Sequence, residues 1–84
     1  MSLLWIMGDP IDVSLSPSGV PIHILWRKQR HPVTAILNGW RVDAEWWRFR
    51  IWRDYYKILT GTGFLVVIFH DRLKGEWRLL RVYD

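Results

Sequence analysis

Residues 9–26 read DPIDVSLSPSGVPIHILW. Ile11, Val13 and Leu15 alternate with Asp12, Ser14 and Ser16, the period of a strand with one wet face. Ser16-Pro17-Ser18-Gly19 is a dense turn signal. Val20, Ile22, Ile24 and Trp26 then alternate again, so the stretch predicts a β-hairpin. The same grammar continues downstream. Lys28-Gln29 is a tight polar connection, and a third strand is predicted from about Arg30 to Leu37. Pro32 in that strand implies an edge position or a bulge, because proline donates no backbone hydrogen bond. Asn38-Gly39 tolerates positive φ, so the chain turns or bulges there. Trp40, Val42, Ala44 and Trp46 next alternate with Arg41, Asp43 and Glu45.

Residues 44–58 carry two patterns. Ala44, Trp47, Ile51, Tyr55 and Ile58 would line one face of a helix. Aromatic and β-branched residues crowd the same stretch and favour strand. The reading adopted is an irregular turn near Arg48–Trp52, followed by a strand over Arg53–Thr60. Gly61-Thr62-Gly63 is a hairpin loop. Phe64-Leu65-Val66-Val67-Ile68-Phe69 is apolar on both faces, as a central strand is. Asp71–Gly75 is a turn, and Glu76–Tyr83 should pair back on Phe64–His70. The expected fold is one all-β domain over residues 1–84. Its form is an antiparallel meander of about six strands, closed or partly open as a small barrel.

The composition narrows what such a barrel can do. The chain has 84 residues, room for one domain. It has no cysteine, which excludes a disulfide framework, a thiol nucleophile and a cysteine-based zinc site. The run at 64–69 is far shorter than the roughly 20 residues of a spanning helix. The opening Met1–Met7 lacks the basic start of a secretory signal, so a cytoplasmic protein without a membrane partner is expected. Seven Trp, three Tyr and three Phe exceed what so small an interior can enclose. One or two Trp should therefore lie at a surface, and self-association into a dimer is expected. The apolar Met1–Met7 segment, with Trp5, is a candidate contributor to it.

Lys and Arg number 12 against 8 Asp and Glu, a net charge of +4. Five Trp are followed directly by Arg: Trp26-Arg27, Trp40-Arg41, Trp47-Arg48, Trp52-Arg53 and Trp77-Arg78. Neighbours on a strand point to opposite faces. Either the indoles face inward and the guanidinia outward, or rings and cations share a face suited to nucleic acid. His23, His31 and His70 fall on three different predicted strands, without the i, i+4 spacing of a metalloprotease helix. They read as structural. Asp43 and Glu45 share a strand face, where paired carboxylates could do acid–base work. The flanking Arg41 and Arg48 make salt bridging the simpler role. Ser residues form no nucleophile elbow, and Gly61-Thr62-Gly63 lacks the Lys-Ser/Thr of a phosphate loop. No catalytic residue, metal or cofactor is expected.

Trp40–Tyr56, WRVDAEWWRFRIWRDYY, and the ending EWRLLRVYD carry a family resemblance. The chain resembles a small bacterial domain of unknown function found alone or near the C-terminus of proteins related to Y-family DNA polymerases, such as ImuB. The matching positions are Trp40, Arg41, Val42, Asp43, Trp46, Trp47, Arg48, Tyr55, Tyr56, Trp77, Leu79, Arg81, Tyr83 and Asp84. Relatives often have Asp-Pro after the WWR motif, where this chain has Phe49-Arg50. The resemblance implies a setting in DNA repair or translesion synthesis, and no catalytic role. The expected function is an accessory domain that binds DNA through Arg41, Trp46, Trp47, Arg48 and Arg53. The alternative is a protein-interaction or self-association module that docks on a repair polymerase without touching DNA.

Overall fold

The computed structural model describes residues 8–83, with Trp46 described by its backbone alone. The expected contribution of Met1–Met7 to a dimer lies outside the described residues. Within them the chain is all strand: β1 (Asp9–Pro10), β2 (Asp12–Leu15), β3 (Pro21–Trp26), β4 (Gln29–Trp46), β5 (Phe49–Thr60), β6 (Leu65–Asp71) and β7 (Glu76–Tyr83). Among the described residues no helix is long and apolar enough to cross a membrane. All pairings are antiparallel, in the order β1-β7-β6-β5-β4-β3-β2.

β1 and β2 stand at opposite ends of that order, yet only Ile11 separates them in sequence. The sheet therefore curls until its ends approach at Ile11. Asp9 and Pro10 lie opposite Leu79 and Arg78, whereas Asp12 and Val13 lie opposite Leu25 and Ile24. The Ile11 N–H donates to the Trp77 carbonyl at 3.2 Å. One kinked N-terminal strand thus serves both ends and makes the meander a curled, partly open barrel. Its short first strands also blunt the edges that an open sheet would expose.

Inside the curl, Ile11, Ile24, Trp26, Ile58, Val66, Ile68 and Leu79 pack together, rimmed by Val13, Val33, Tyr56, Phe64, Trp77 and Val82. β6 is buried on both faces: Val66 and Ile68 point into the core, Val67 and Phe69 to the outer face. That is why residues 64–69 show no alternation. β6 and β7 form the predicted hairpin, with Ile68 opposite Leu79 and His70 opposite Trp77. Trp77 turns inward as Leu79 does, but it is half-buried and stacks on the His70 ring at 4.7 Å. In the first hairpin a register shift between Ser14 and Leu15 breaks the simple alternation. Pro21, Ile24 and Trp26 are buried there, and Val20 and Ile22 are exposed.

Two connections differ from the sequence reading, and at a third the structure selects one of two expected forms. The β3–β4 loop is Arg27-Lys28 rather than Lys28-Gln29. Both residues have positive φ, 53° and 62°, the sign pattern of a type I′ hairpin turn made without Gly or Asn. Of the turn and the bulge expected at Asn38-Gly39, the chain takes the bulge. The register shifts between Ile36 and Asn38, a bulge, and β4 runs on to Trp46. The loop expected near Arg48–Trp52 is instead the two-residue turn Trp47-Arg48, and β5 begins at Phe49. Continuous pairing of β4 with β5, from Val33 opposite Thr60 to Trp46 opposite Phe49, holds these residues extended. Pro32 marks the point where β4 leaves β3 and takes up β5, so its missing N–H falls at a change of partner.

Candidate nucleic-acid interface

β5 has an unbroken period of two, which sorts its side chains cleanly. Phe49, Ile51, Arg53, Tyr55, Lys57 and Leu59 face outward, as do Trp40 and Val42, which lie opposite Tyr55 and Arg53 on β4. Trp52, Asp54, Tyr56 and Ile58 face the other way, with Arg41 and Asp43 opposite the first two. β6 pairs with β5 only from Arg53 onward, so the end of the β4–β5 hairpin projects past it as a two-stranded ribbon.

The outer face is built of rings and cations. Trp40 stacks flat on Tyr55, with centroids 5.3 Å apart and planes 4° apart. Tyr55 tilts onto Phe69 at 5.2 Å. The Arg53 guanidinium sits 4.4 Å over the Phe69 ring and donates to the Tyr55 hydroxyl at 3.2 Å. Lys57 and Arg81 both approach the Tyr83 ring, at 5.3 and 5.7 Å. Phe69 is fully buried beneath this layer, whereas Trp40 and Tyr83 are 41% and 37% exposed. The buried ring fixes the base, and the exposed rings present open faces and edges. The acids bordering this face are engaged. Asp71 Oδ1 accepts from the Leu73 and Lys74 N–H groups of its turn, and Glu76 binds Arg78 at 3.1 Å.

The opposite face of the ribbon is an ion-pair network. Arg41 Nε donates to Asp54 Oδ1 at 2.6 Å, and Arg72 Nη1 to Asp54 Oδ2 at 2.9 Å. Asp43 accepts from Arg50 at 3.3 Å. Trp52 lies between Arg50 and Arg72, whose guanidinia stand 4.9 and 4.6 Å from its ring. The hydrogen bond from Arg41, supported by that from Arg72, holds the Asp54 carboxyl below the usual carboxylate range against its partial burial. Arg41 and Arg50 are raised, chiefly by their hydrogen bonds to Asp54 and Asp43. The sequence reading had Asp43 and Glu45 holding Arg41 and Arg48. Asp43 in fact takes Arg50, and Arg41 crosses to Asp54, because cross-strand register brings closer partners than sequence spacing does.

The hairpin tip is the most exposed aromatic site. Trp47 is 86% exposed and Phe49 68%. Trp47 holds a φ of 56°, unusual for so bulky a residue, and Arg48 lies 5.5 Å over its ring. The aromatic excess required one or two Trp at a surface, and Trp47 is one of them. Of the five candidate residues, Trp46, Trp47 and Arg48 sit together at the tip. Arg53 lies further along β5 on the outer face, and Arg41 is on the opposite face, paired. Sequence reasoning missed Trp40, Tyr55, Lys57, Arg81 and Tyr83 as one surface. The signal was present in the alternation of residues 49–59, but a loop placed at 48–52 hid its phase. The inward-indole reading fits Trp26 and Trp77 and fails for Trp40 and Trp47.

Two of the histidines pack against aromatic rings. His31 is buried between the Trp26 and Phe64 rings, with Nδ1 2.6 Å from the Thr62 hydroxyl. His70 stacks on Trp77. Among the described residues no group of three His, Cys, Asp or Glu side chains could hold a metal ion. Comparison with family models, curated proteins and solved structures finds no match for this chain.

Proposed function

We propose that this chain is a non-catalytic accessory domain that binds single-stranded nucleic acid across the outer face of β4–β7, in the DNA-repair setting its sequence resembles. The observation that carries the reading is the ring-and-cation layer: Trp40 on Tyr55, Tyr83 between Lys57 and Arg81, and Arg53 locked over Phe69. Bases stack on exposed rings whatever their sequence, at about 1–3 kcal/mol each, while cations track the phosphates. A sheet face suits a single strand, because unstacked bases can lie flat on it. Trp47 and Arg48 at the tip would extend the same chemistry beyond the sheet.

The test is fluorescence anisotropy of a labelled oligothymidylate, a mixed-sequence single strand and a blunt duplex, each at two salt concentrations. Binding should favour single strands. Lys57→Ala and Arg81→Ala should each weaken it, and each should reduce the salt slope by about 0.7 if one phosphate contact is lost. Absence of binding to any oligonucleotide at low salt would refute the reading.

A second reading, a docking module for a repair polymerase, has one observation in its favour. The Trp47–Phe49 tip is apolar, exposed and rimmed by Arg, the composition of interface hot spots. Retention of a repair polymerase by the immobilised domain after nuclease treatment, lost with Trp47→Ala, would support that reading over the first.

A further inference from the structure

We infer that two copies of this chain join edge to edge along β4, antiparallel, about a two-fold axis at Val42. The starting observation is an open edge. β4 pairs with β3 only through Gln29–Pro32, and from Val33 to Trp46 its partner is β5 alone. Among the described residues no strand covers the other side of that stretch. Register shifts between Val33 and Ala35 and between Ile36 and Asn38 blunt its first part. Beyond them, Gly39–Trp46 is regular.

The hydrogen-bond phase of this edge follows from the turn. A two-residue hairpin makes Trp46 and Phe49 a hydrogen-bonded pair. Alternation then points the backbone groups of Trp40, Val42 and Ala44 at β5, and those of Gly39, Arg41, Asp43 and Glu45 at the open edge. The Gly39 N–H agrees: it donates to the side chain of its neighbour, Asn38 Oδ1, at 2.9 Å.

A second copy can add only if outward residues meet outward residues, which places the two-fold axis on a residue and not between two. Each choice has a consequence in charge. An axis at Arg41 sets Arg41 against its own copy, and an axis at Asp43 does the same with carboxylates. An axis at Ala44 opposes Asp43 to Glu45, and one at Trp40 runs the strand into the bulge. Like charges directly opposite each other are destabilising. The axis at Val42 alone opposes Arg41 to Asp43 of the second copy, twice, and Gly39 to Glu45, twice. On the outer face it sets Trp40 against Ala44, large against small, and Val42 against itself. The sequence GWRVDAE is therefore complementary to itself in charge and in volume. Arg41 and Asp43 keep Asp54 and Arg50 as partners, since a guanidinium has five donors and a carboxylate several acceptor sites. Such a short edge buries less than the roughly 800 Å² per partner of a standard interface, so the dimer is weak and concentration-dependent. It also joins the two outer faces into one.

The test uses the absence of cysteine in the chain. At the axis a residue meets its own copy as a non-hydrogen-bonded pair, with Cα atoms about 4.5 Å apart, inside the window for a disulfide. Val42→Cys should form a covalent dimer under mild oxidation. Ala44→Cys, which faces Trp40, should not. No cross-link at position 42, or equal cross-linking at both positions, would overturn the proposal. Sedimentation velocity supplies the non-covalent readout. The wild-type sedimentation coefficient should rise with concentration. Val42→Lys and Val42→Glu should each remain monomeric, and mixing them should restore the dimer as Lys meets Glu on the axis. A wild-type chain that stays monomeric at every concentration, or a mixture of the two folded variants that does, would overturn the proposal.

Discussion

Trp47 holds a left-handed backbone conformation at the exposed end of a ribbon. For an L-residue that costs roughly 1–2 kcal/mol, and glycine escapes it at some entropic cost. Trp47→Gly should therefore raise stability by up to about 1 kcal/mol in thermal melts, while removing the most exposed ring. Glycine would serve the turn better, so the exposed ring is kept against a backbone cost. Asp54 makes a second residue-scale prediction. Its folded-state pKa is lowered, first by the Arg41 hydrogen bond, so its contribution is present above the unfolded carboxylate value. That contribution is lost as pH falls through the depressed folded value. Asp54→Asn should lower the melting temperature at neutral pH, and the gap to wild type should close progressively below about pH 4. A gap independent of pH would show that the carboxylate charge contributes nothing.

β6 and the β4–β5 ribbon set the two faces of the sheet. β6 is buried on both faces, so losing a side chain from its outer face should cost as much as losing one from the core. Phe69→Ala should destabilise by about 3–5 kcal/mol in urea unfolding. Phe69 also lies under Tyr55 and Arg53, so a variant that remains folded should lose nucleic-acid affinity as well. The character of β6 was legible in residues 64–69, since only a doubly covered strand is apolar without alternation. The β4–β5 ribbon was half legible. Trp40–Trp46 alternates openly, but Trp47-Arg48 carries no Gly, Asn or Asp to announce a turn. A turn supported by the pairing of its flanking strands needs no such signal.

Closure belongs to the whole molecule. Ile11 is buried and sits where the chain passes from pairing with β7 to pairing with β3. Ile11→Ala should cost about 2–5 kcal/mol. Amide exchange should then accelerate at both ends of the sheet together, in β1–β7 and in β2–β3. Acceleration in one pair alone would show that the ends are stabilised independently. The candidate surface is also a property at this scale. Trp40, Tyr83 and Arg81 come from strands far apart in sequence, and the sheet order places them on one face with β5 and β6 between them.

The amino-acid sequence by itself determined the strand character, the first and last hairpins and the central place of residues 64–69. Those depend on period, turn chemistry and local hydrophobicity, which are readable within ten residues. The tertiary structure decided that Asn38-Gly39 bulges within one long strand, that Trp47-Arg48 turns it, and that Arg41 faces away from Arg53. Each of these depends on register with a partner strand, and register is set by pairing across the sheet. A slip of one residue would exchange the two faces of the ribbon. Local sequence leaves that phase open, and the β4–β5 and β5–β6 pairings close it.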